Sequence, residues 1–187
     1  MIWFTSDWHL GDDRLGIEEE KPNVYFRPFS SIEEQNNTII NNCNKYVKED
    51  DILIHLGDVC FNSDYLPLLE KINCRKKILV LGNYDEDKEL LLEKYFSKIV
   101  SDYEMGTHNY NFYLDHYPLR CKNVLEINTE YNYAITGHIH GAWRFNGKCI
   151  NVGVDAWNFK PISEKDILFL INGIENHYDE NVFLGRK

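Results

Sequence analysis

The sequence predicts a mixed α/β protein in which two β-sheets pack on one another with helices outside. Three observations predict it. In the first half of the chain, short apolar strands alternate with helix-forming stretches. In the second half, aromatic and β-branched segments take over. Between them in importance stands Asp51–Asp58, D-I-L-I-H-L-G-D. Its apolar run, interrupted only by His55, reads as a strand buried on both faces.

Taken in order, Ile2 to Thr5 is a short apolar strand that ends in Ser6-Asp7-Trp8-His9. Gly11 to Pro28, with mixed charge, two glycines and two prolines, reads as a loop. Ser30 or Ser31 can cap a helix with Glu33 or Glu34 in its first turn. Ile32, Ile39, Ile40, Cys43 and Val47 mark one face of that helix. After the central strand, Ser63 to Ile72 carries Leu66, Leu68, Leu69 and Ile72 and predicts a second helix. Lys77 to Leu81 is a further buried strand, ending in Gly82-Asn83-Tyr84-Asp85, and Glu86 to Phe96 predicts a third helix. Strands are then expected at Ile99–Val100, Tyr103–Gly106, Tyr110–Leu114, Tyr133–Thr136 and Lys148–Val152. His108-Asn109 can turn a hairpin, and Lys122 to Tyr131 has no clear assignment. Ser163, with Asp166 three residues on, resembles a capping box for a last helix bearing Ile167, Leu168, Leu170 and Ile171. No repeat or linker is visible, so 1–187 is expected to form one domain.

The composition narrows the function. Hydrophobic residues make up 43% of the 187, so a sizeable core is expected. A formal net charge of −10 argues against extended nucleic-acid binding, which needs a basic face. A small phosphate ester remains compatible, because metal ions can reverse the local field. The five cysteines are odd in number and lack C-x-x-C spacing, which suits free thiols in a reducing compartment. No apolar run is long enough for a membrane span and no secretory signal is visible, so a cytoplasmic location is expected.

Chemistry collects at the strand ends. They carry Asp7 and His9 as D-x-H, Gly57-Asp58, Gly82 to Asp85, His116, and Gly137 to His140 as G-H-x-H. A carboxylate just past a buried strand stands where open α/β sheets bind ligands, although a lone Asp there can equally cap a helix. His55, His108 and His177 lie in no such context, and His55 reads as a satisfied core residue. Together Asp7, His9, Asp58, Asn83, His116, His138 and His140 offer oxygen and nitrogen donors and no thiolate. Such a set suits Mn²⁺ first, with Fe, Ni²⁺, Co²⁺ or Zn²⁺ as alternatives. It is too large for one ion and suits two that share a bridge.

D-x-H, G-D, G-N-[H]-D, H and G-H-x-H, in this order, resemble the motif set of the calcineurin-like metallophosphoesterases. The likeness runs from Asp7 to about Ser163. It is greatest to small bacterial and phage members, with Arg27-Pro28-Phe29 and the segment from Asn151 to Ser163 included. The resemblance implies a four-layer α/β/β/α sandwich, two mixed sheets flanked by helices, and two divalent ions at the strand ends. It implies that Asp7, His9, Asp58 and His140 hold one ion and that Asp58, Asn83, His116 and His138 hold the other, with Asp58 bridging. Two ions roughly 3.5–4 Å apart activate a bridging hydroxide for in-line attack on phosphorus. The expected substrate is therefore a small-molecule or nucleotide-like phosphoester.

One position departs from the pattern. Tyr84 stands where the family has the histidine that assists the leaving group, and a phenol is a poor general acid at neutral pH. Substrates whose leaving groups need little proton assistance would then be favoured, phosphodiesters over alkyl monoesters. Weak or lost activity on a retained metal-binding scaffold is the alternative, and a nuclease a third. Arg27 and Arg120 can each meet substrate phosphate or form a structural ion pair. Trp143 and Trp157 can line a pocket or pack in the core.

Overall fold

The computed structural model describes residues 1–14 and 27–177. In chain order the elements begin with β1 (Ile2–Thr5), α1 (Ile32–Tyr46), β2 (Ile52–His55), β3 (Lys76–Val80), α2 (Glu89–Leu92), β4 (Lys98–Val100) and β5 (Tyr103–Thr107). They continue with β6 (Tyr110–Leu114), α3 (Pro118–Ile127), β7 (Tyr133–Thr136), β8 (Phe145–Asn146), β9 (Cys149–Asn151), β10 (Ile162–Ser163) and α4 (Glu164–His177). Two 3-10 helices, Ser63–Lys71 and Val154–Trp157, complete the set.

One sheet has the order β10-β1-β2-β3-β4, and the other β5-β6-β7-β9-β8. Within the first, β1 to β4 run parallel and β10 is antiparallel. Within the second, β6, β7 and β9 run parallel between antiparallel edges. The alternation of side chains sorts the layers. On β2, Leu53 faces a core with Ile39 and Ile40 of α1 and Leu69 of the first 3-10 helix. Ile54 and Leu56 face the opposite way and meet Phe112, Leu114, Ile135 and Ile150 of the second sheet. On β7, Ala134 turns outward to Cys121 of α3. The result is the expected four-layer arrangement of helix, sheet, sheet and helix. Ile167 and Ile171 of α4 enter the core between the sheets.

The caps follow the sequence. Ser31 Oγ accepts from Glu34 N at 3.1 Å at the start of α1. Ser163 Oγ accepts from Asp166 N at 3.2 Å, and Asp166 accepts in return from Ser163 N at 2.8 Å. Elsewhere the local structure differs from expectation. The helix expected over Ser63 to Ile72 is 3-10 in form because it contains Pro67, which has no N–H and crowds the carbonyl one turn back. The helix expected over Glu86 to Phe96 shortens to α2, whose first residues receive no side-chain cap from Lys88. Of the unassigned stretch Lys122 to Tyr131, the part up to Ile127 belongs to helix α3, which starts with Pro118 in its first turn. Among the described residues no helix is long and apolar enough to cross a membrane.

All five cysteines are free and buried. Burial pushes the thiols of Cys43 and Cys60 up to about 12, which removes the reactive thiolate at neutral pH. A thiol-exchange titration of the native protein at pH 7 should therefore label none of the five quickly, and all five in denaturant. Fast labelling of the native protein would contradict this packing.

Candidate metal centre

The parallel strands of both sheets end along one seam, and the seam gathers the polar residues singled out from the sequence. Asp7 and His9 follow β1, Asp58 follows β2, Asn83 follows β3, His116 follows β6, and His138 and His140 follow β7. Asp7 N donates to Gly57 O and His9 N to Asp58 O, each at 3.0 Å, so the first two loops run side by side. His138 N donates to both Asp7 carboxylate oxygens, at 3.0 and 3.1 Å, which ties the second sheet to the first.

Two clusters result. Asp7, His9 and His140 each offer a donor atom within 4.8 Å of the others, and so do Asp58, His116 and His138. Asp58 joins the two, because its Oδ2 lies 3.4 Å from His9 Nε2 and 3.3 Å from His116 Nε2. Asn83 is exposed; its neighbours Gly82 and Tyr84 pack on Asp58, whose Oδ1 accepts from Tyr84 N at 2.9 Å.

The backbone is strained at these residues. Asp7, His9, Asp58, His138 and His140 have φ of 58°, 47°, 58°, 72° and 50°. Left-handed backbone costs an L-residue about 1–2 kcal/mol. Five such residues at one seam mark a place where geometry is held against local preference. Two glycines permit the crowding. A Cβ on Gly57, at φ 89°, would stand 2.6 Å from both Gly82 N and His116 Nδ1. One on Gly137 would stand 1.9 Å from Ser6 Oγ.

The outer contacts set the imidazoles. His116 Nδ1 lies 2.6 Å from Leu56 O and donates to it, while Nε2 faces Asp58 Oδ2. His140 Nδ1 lies 3.0 Å from Asp155 Oδ2, the carboxylate–histidine pairing that orients metal ligands. Asp155 is gripped by Arg27 through Nε at 2.8 Å and Nη2 at 2.9 Å. Arg27 is buried and also donates to the backbone oxygens of Trp8 and Asp7. Of the two roles open to it, Arg27 fills the structural one. Asp155 lies within the Asn151 to Ser163 segment that resembles the family, but its place beside His140 is visible only in the fold.

Asp85 is fully buried and accepts from Asp58 N at 2.7 Å, Gly82 N at 2.9 Å and Val59 N at 3.0 Å. With no histidine at position 84 to orient, it splints the second and third loops. His55 is core, but both its ring nitrogens lack partners among the described residues, so it is not the satisfied residue expected. It sits edge-on to Trp8 at 4.9 Å. Trp143 and Trp157 pack against the core clusters, and Arg120 pairs with Asp115 at 3.9 Å. Of the loop expected from Gly11 to Pro28, residues 15–26 lie outside the described residues.

The electrostatics suit a cation. Burial lowers the His9 pKa to about 3, so its imidazole is neutral and able to ligate. Its ring nitrogens have no hydrogen-bond partner among the described residues. Burial opposes charge on His116, but the Asp58 and Asp7 carboxylates raise it to about 9. Burial likewise opposes charge on Asp58, and His116 and His9 bring it down to about 2. A cation at this seam would take over the role of the His116 proton. An orphaned buried imidazole, a shared carboxylate and an all-nitrogen-and-oxygen donor set together fit divalent metal.

Arg27→Ala would strand the Asp155 carboxylate, whose side chain is only 10% exposed. The expected loss is about 3–5 kcal/mol of unfolding free energy, read from the denaturant midpoint. A change under about 1 kcal/mol would show that the pair does not hold the seam.

Comparison with known proteins follows the same lines. A family model described as calcineurin-like phosphoesterase matches residues 1–182. An uncharacterized protein of Methanocaldococcus jannaschii is 32% identical over 156 residues, covering 78% of this chain and 80% of its own. The Gene 66 protein of Mycobacterium phage L5 is 27% identical over 214 aligned residues, covering 96% of this chain and 97% of its own. A solved structure from Aquifex aeolicus, a protein of unknown function, has a TM-score of 0.71 at 29% identity and covers 91% of this chain and 98% of that one. With the family match spanning nearly the whole sequence and the strand-end ligand clusters in place, the chain belongs to the calcineurin-like phosphoesterase family.

Proposed function

We propose that this chain hydrolyses phosphodiesters with the help of two divalent cations, Mn²⁺ first among them. Asp7, His9, Asp58 and His140 would hold one, and Asp58, Asn83, His116 and His138 the other. The observation that carries this reading is the position of Asp58 Oδ2, close to Nε2 of both His9 and His116. One carboxylate oxygen placed between imidazoles of two clusters is what a bridging ligand requires. When bound, such ions supply Lewis-acid charge to the phosphoryl oxygens and an activated water for in-line attack.

The chain's own residues do the rest. Asp155 and the Leu56 carbonyl hold Nδ1 of His140 and of His116, so that Nε2 of each ring is the nitrogen a cation would meet. Asp85 holds the Asp58 backbone N–H, and the Tyr84 N–H holds the Asp58 carboxylate. The Tyr84 ring stands edge-on to His9 at 5.0 Å, beside the centre. Its hydroxyl can donate a hydrogen bond to a leaving oxygen but is a weak proton donor. That favours diesters with stable leaving groups over alkyl monoesters.

Turnover of an aryl phosphodiester with Mn²⁺ tests the reading. Asp58→Asn should cost more than the roughly 10–100-fold that outer partners of a metal site are worth. Tyr84→His should shift the monoester-to-diester ratio toward the monoester by at least about tenfold. Equal response of both esters would remove the role given to Tyr84. Metal binding without turnover of any ester would leave a silent scaffold.

A further inference from the structure

The centre is bordered by two constructions of the same kind. In the first, Arg14 donates to the buried Asp12 carboxylate through Nε and Nη2, both at 2.9 Å. Its Nη2 also donates to the Tyr84 hydroxyl at 3.2 Å. The guanidinium lies 3.9 Å over the Phe61 ring and 5.6 Å from the Tyr84 ring centre. Tyr84 in turn abuts His9, in one ligand cluster. In the second, Arg120 Nη1 lies 3.9 Å from Asp115 Oδ2 and its guanidinium 4.4 Å over the Tyr117 ring. Tyr117 abuts His116 at 4.9 Å and His138 at 5.1 Å, both in the other cluster. Each arginine is anchored by a carboxylate, yet its side chain is 52% exposed for Arg14 and 59% for Arg120.

A planar cation laid beside an aromatic ring, both reaching solvent, is suited to stacking on another planar group and to donating to phosphate oxygens. In a chain of net charge −10, two such cations at the border of one centre stand against the overall field. A monoester has one organic arm and would use one of these walls. A diester has two.

We propose that Tyr84–Arg14 and Tyr117–Arg120 form two subsites, one at each half of the centre, that grip the two planar arms of a dinucleotide-type phosphodiester. The proposal rests on the phosphodiesterase reading above and adds the substrate class. Tyr84–Arg14 receives the leaving arm, because the Tyr84 oxygen accepts from Arg14 and so keeps its own proton to donate. Tyr117–Arg120 receives the arm retained on phosphorus. Arg14 and Arg120 act as specificity residues.

Equilibrium binding to the full chain, with Mn²⁺ held constant, tests this with two probes. One is a dinucleoside phosphorothioate with a base on each arm; the other is a nucleoside methyl phosphorothioate with a single base. The first should bind roughly tenfold tighter, the effect of one extra stacked base. Arg120→Gln and Arg14→Lys should each shrink that ratio at least about threefold. The lysine variant keeps the Asp12 ion pair, and thermal melts confirm that both variants fold. Equal binding of the two probes by the unaltered chain, or a ratio unchanged in both variants, would overturn the proposal. So would affinity that keeps rising for oligonucleotides longer than two, which indicates an open polynucleotide track. Ester turnover without two-base preference would remove the subsites and leave the phosphodiesterase. Two-base preference without turnover would do the reverse.

Discussion

The structure turns on where the Asp58 carboxylate is held. Its backbone N–H is bonded to Asp85, its Oδ1 to Tyr84 N, and its Oδ2 is left facing imidazoles from two different sheets. That placement requires β2 to end at a glycine with φ 89°, because any side chain at Gly57 would strike the third loop and His116. It also requires the two sheets to meet with their parallel strands ending on one side, as the bonds from His138 to Asp7 and from Val154 to Ser6 secure.

Such a seam is costly without a cation. Buried carboxylates and imidazoles lose their hydration, and five donors sit in left-handed backbone. The fold offsets this locally. Arg27 neutralises Asp155 and ties down the backbone of Asp7 and Trp8. The core between the sheets, from Phe4 and Ile54 to Ile135 and Ile150, and the core under α1 supply the stabilising burial. The strain is therefore carried by a rigid scaffold, which is the condition for ligands to stay in place when solvent competes for them.

Much of this was legible in the residues. The central strand, the capped helices α1 and α4 and the hairpin at His108 follow from apolar spacing and turn chemistry. The donor residues were legible because each follows a strand, and a carboxylate or imidazole just past a buried strand is an informative pattern. The roles of Asp85, Asp155 and Arg27 were not. Each acts through a partner distant in sequence, as Arg27 and Asp155 are 128 positions apart. Strands β8 and β10 have two residues each and show no periodicity. Helix α3 buries little beyond Cys121, so its apolar stripe is too thin to read. The 3-10 form of Ser63–Lys71 was signalled by Pro67, which apolar spacing alone overrides.

The most direct measurement is a crystal structure of the Mn²⁺-loaded protein with anomalous scattering to locate the ions. The expected result is two peaks, roughly 3.5–4 Å apart, with Asp58 Oδ2 bound to both. A single ion, or two ions that do not share Asp58, would contradict it.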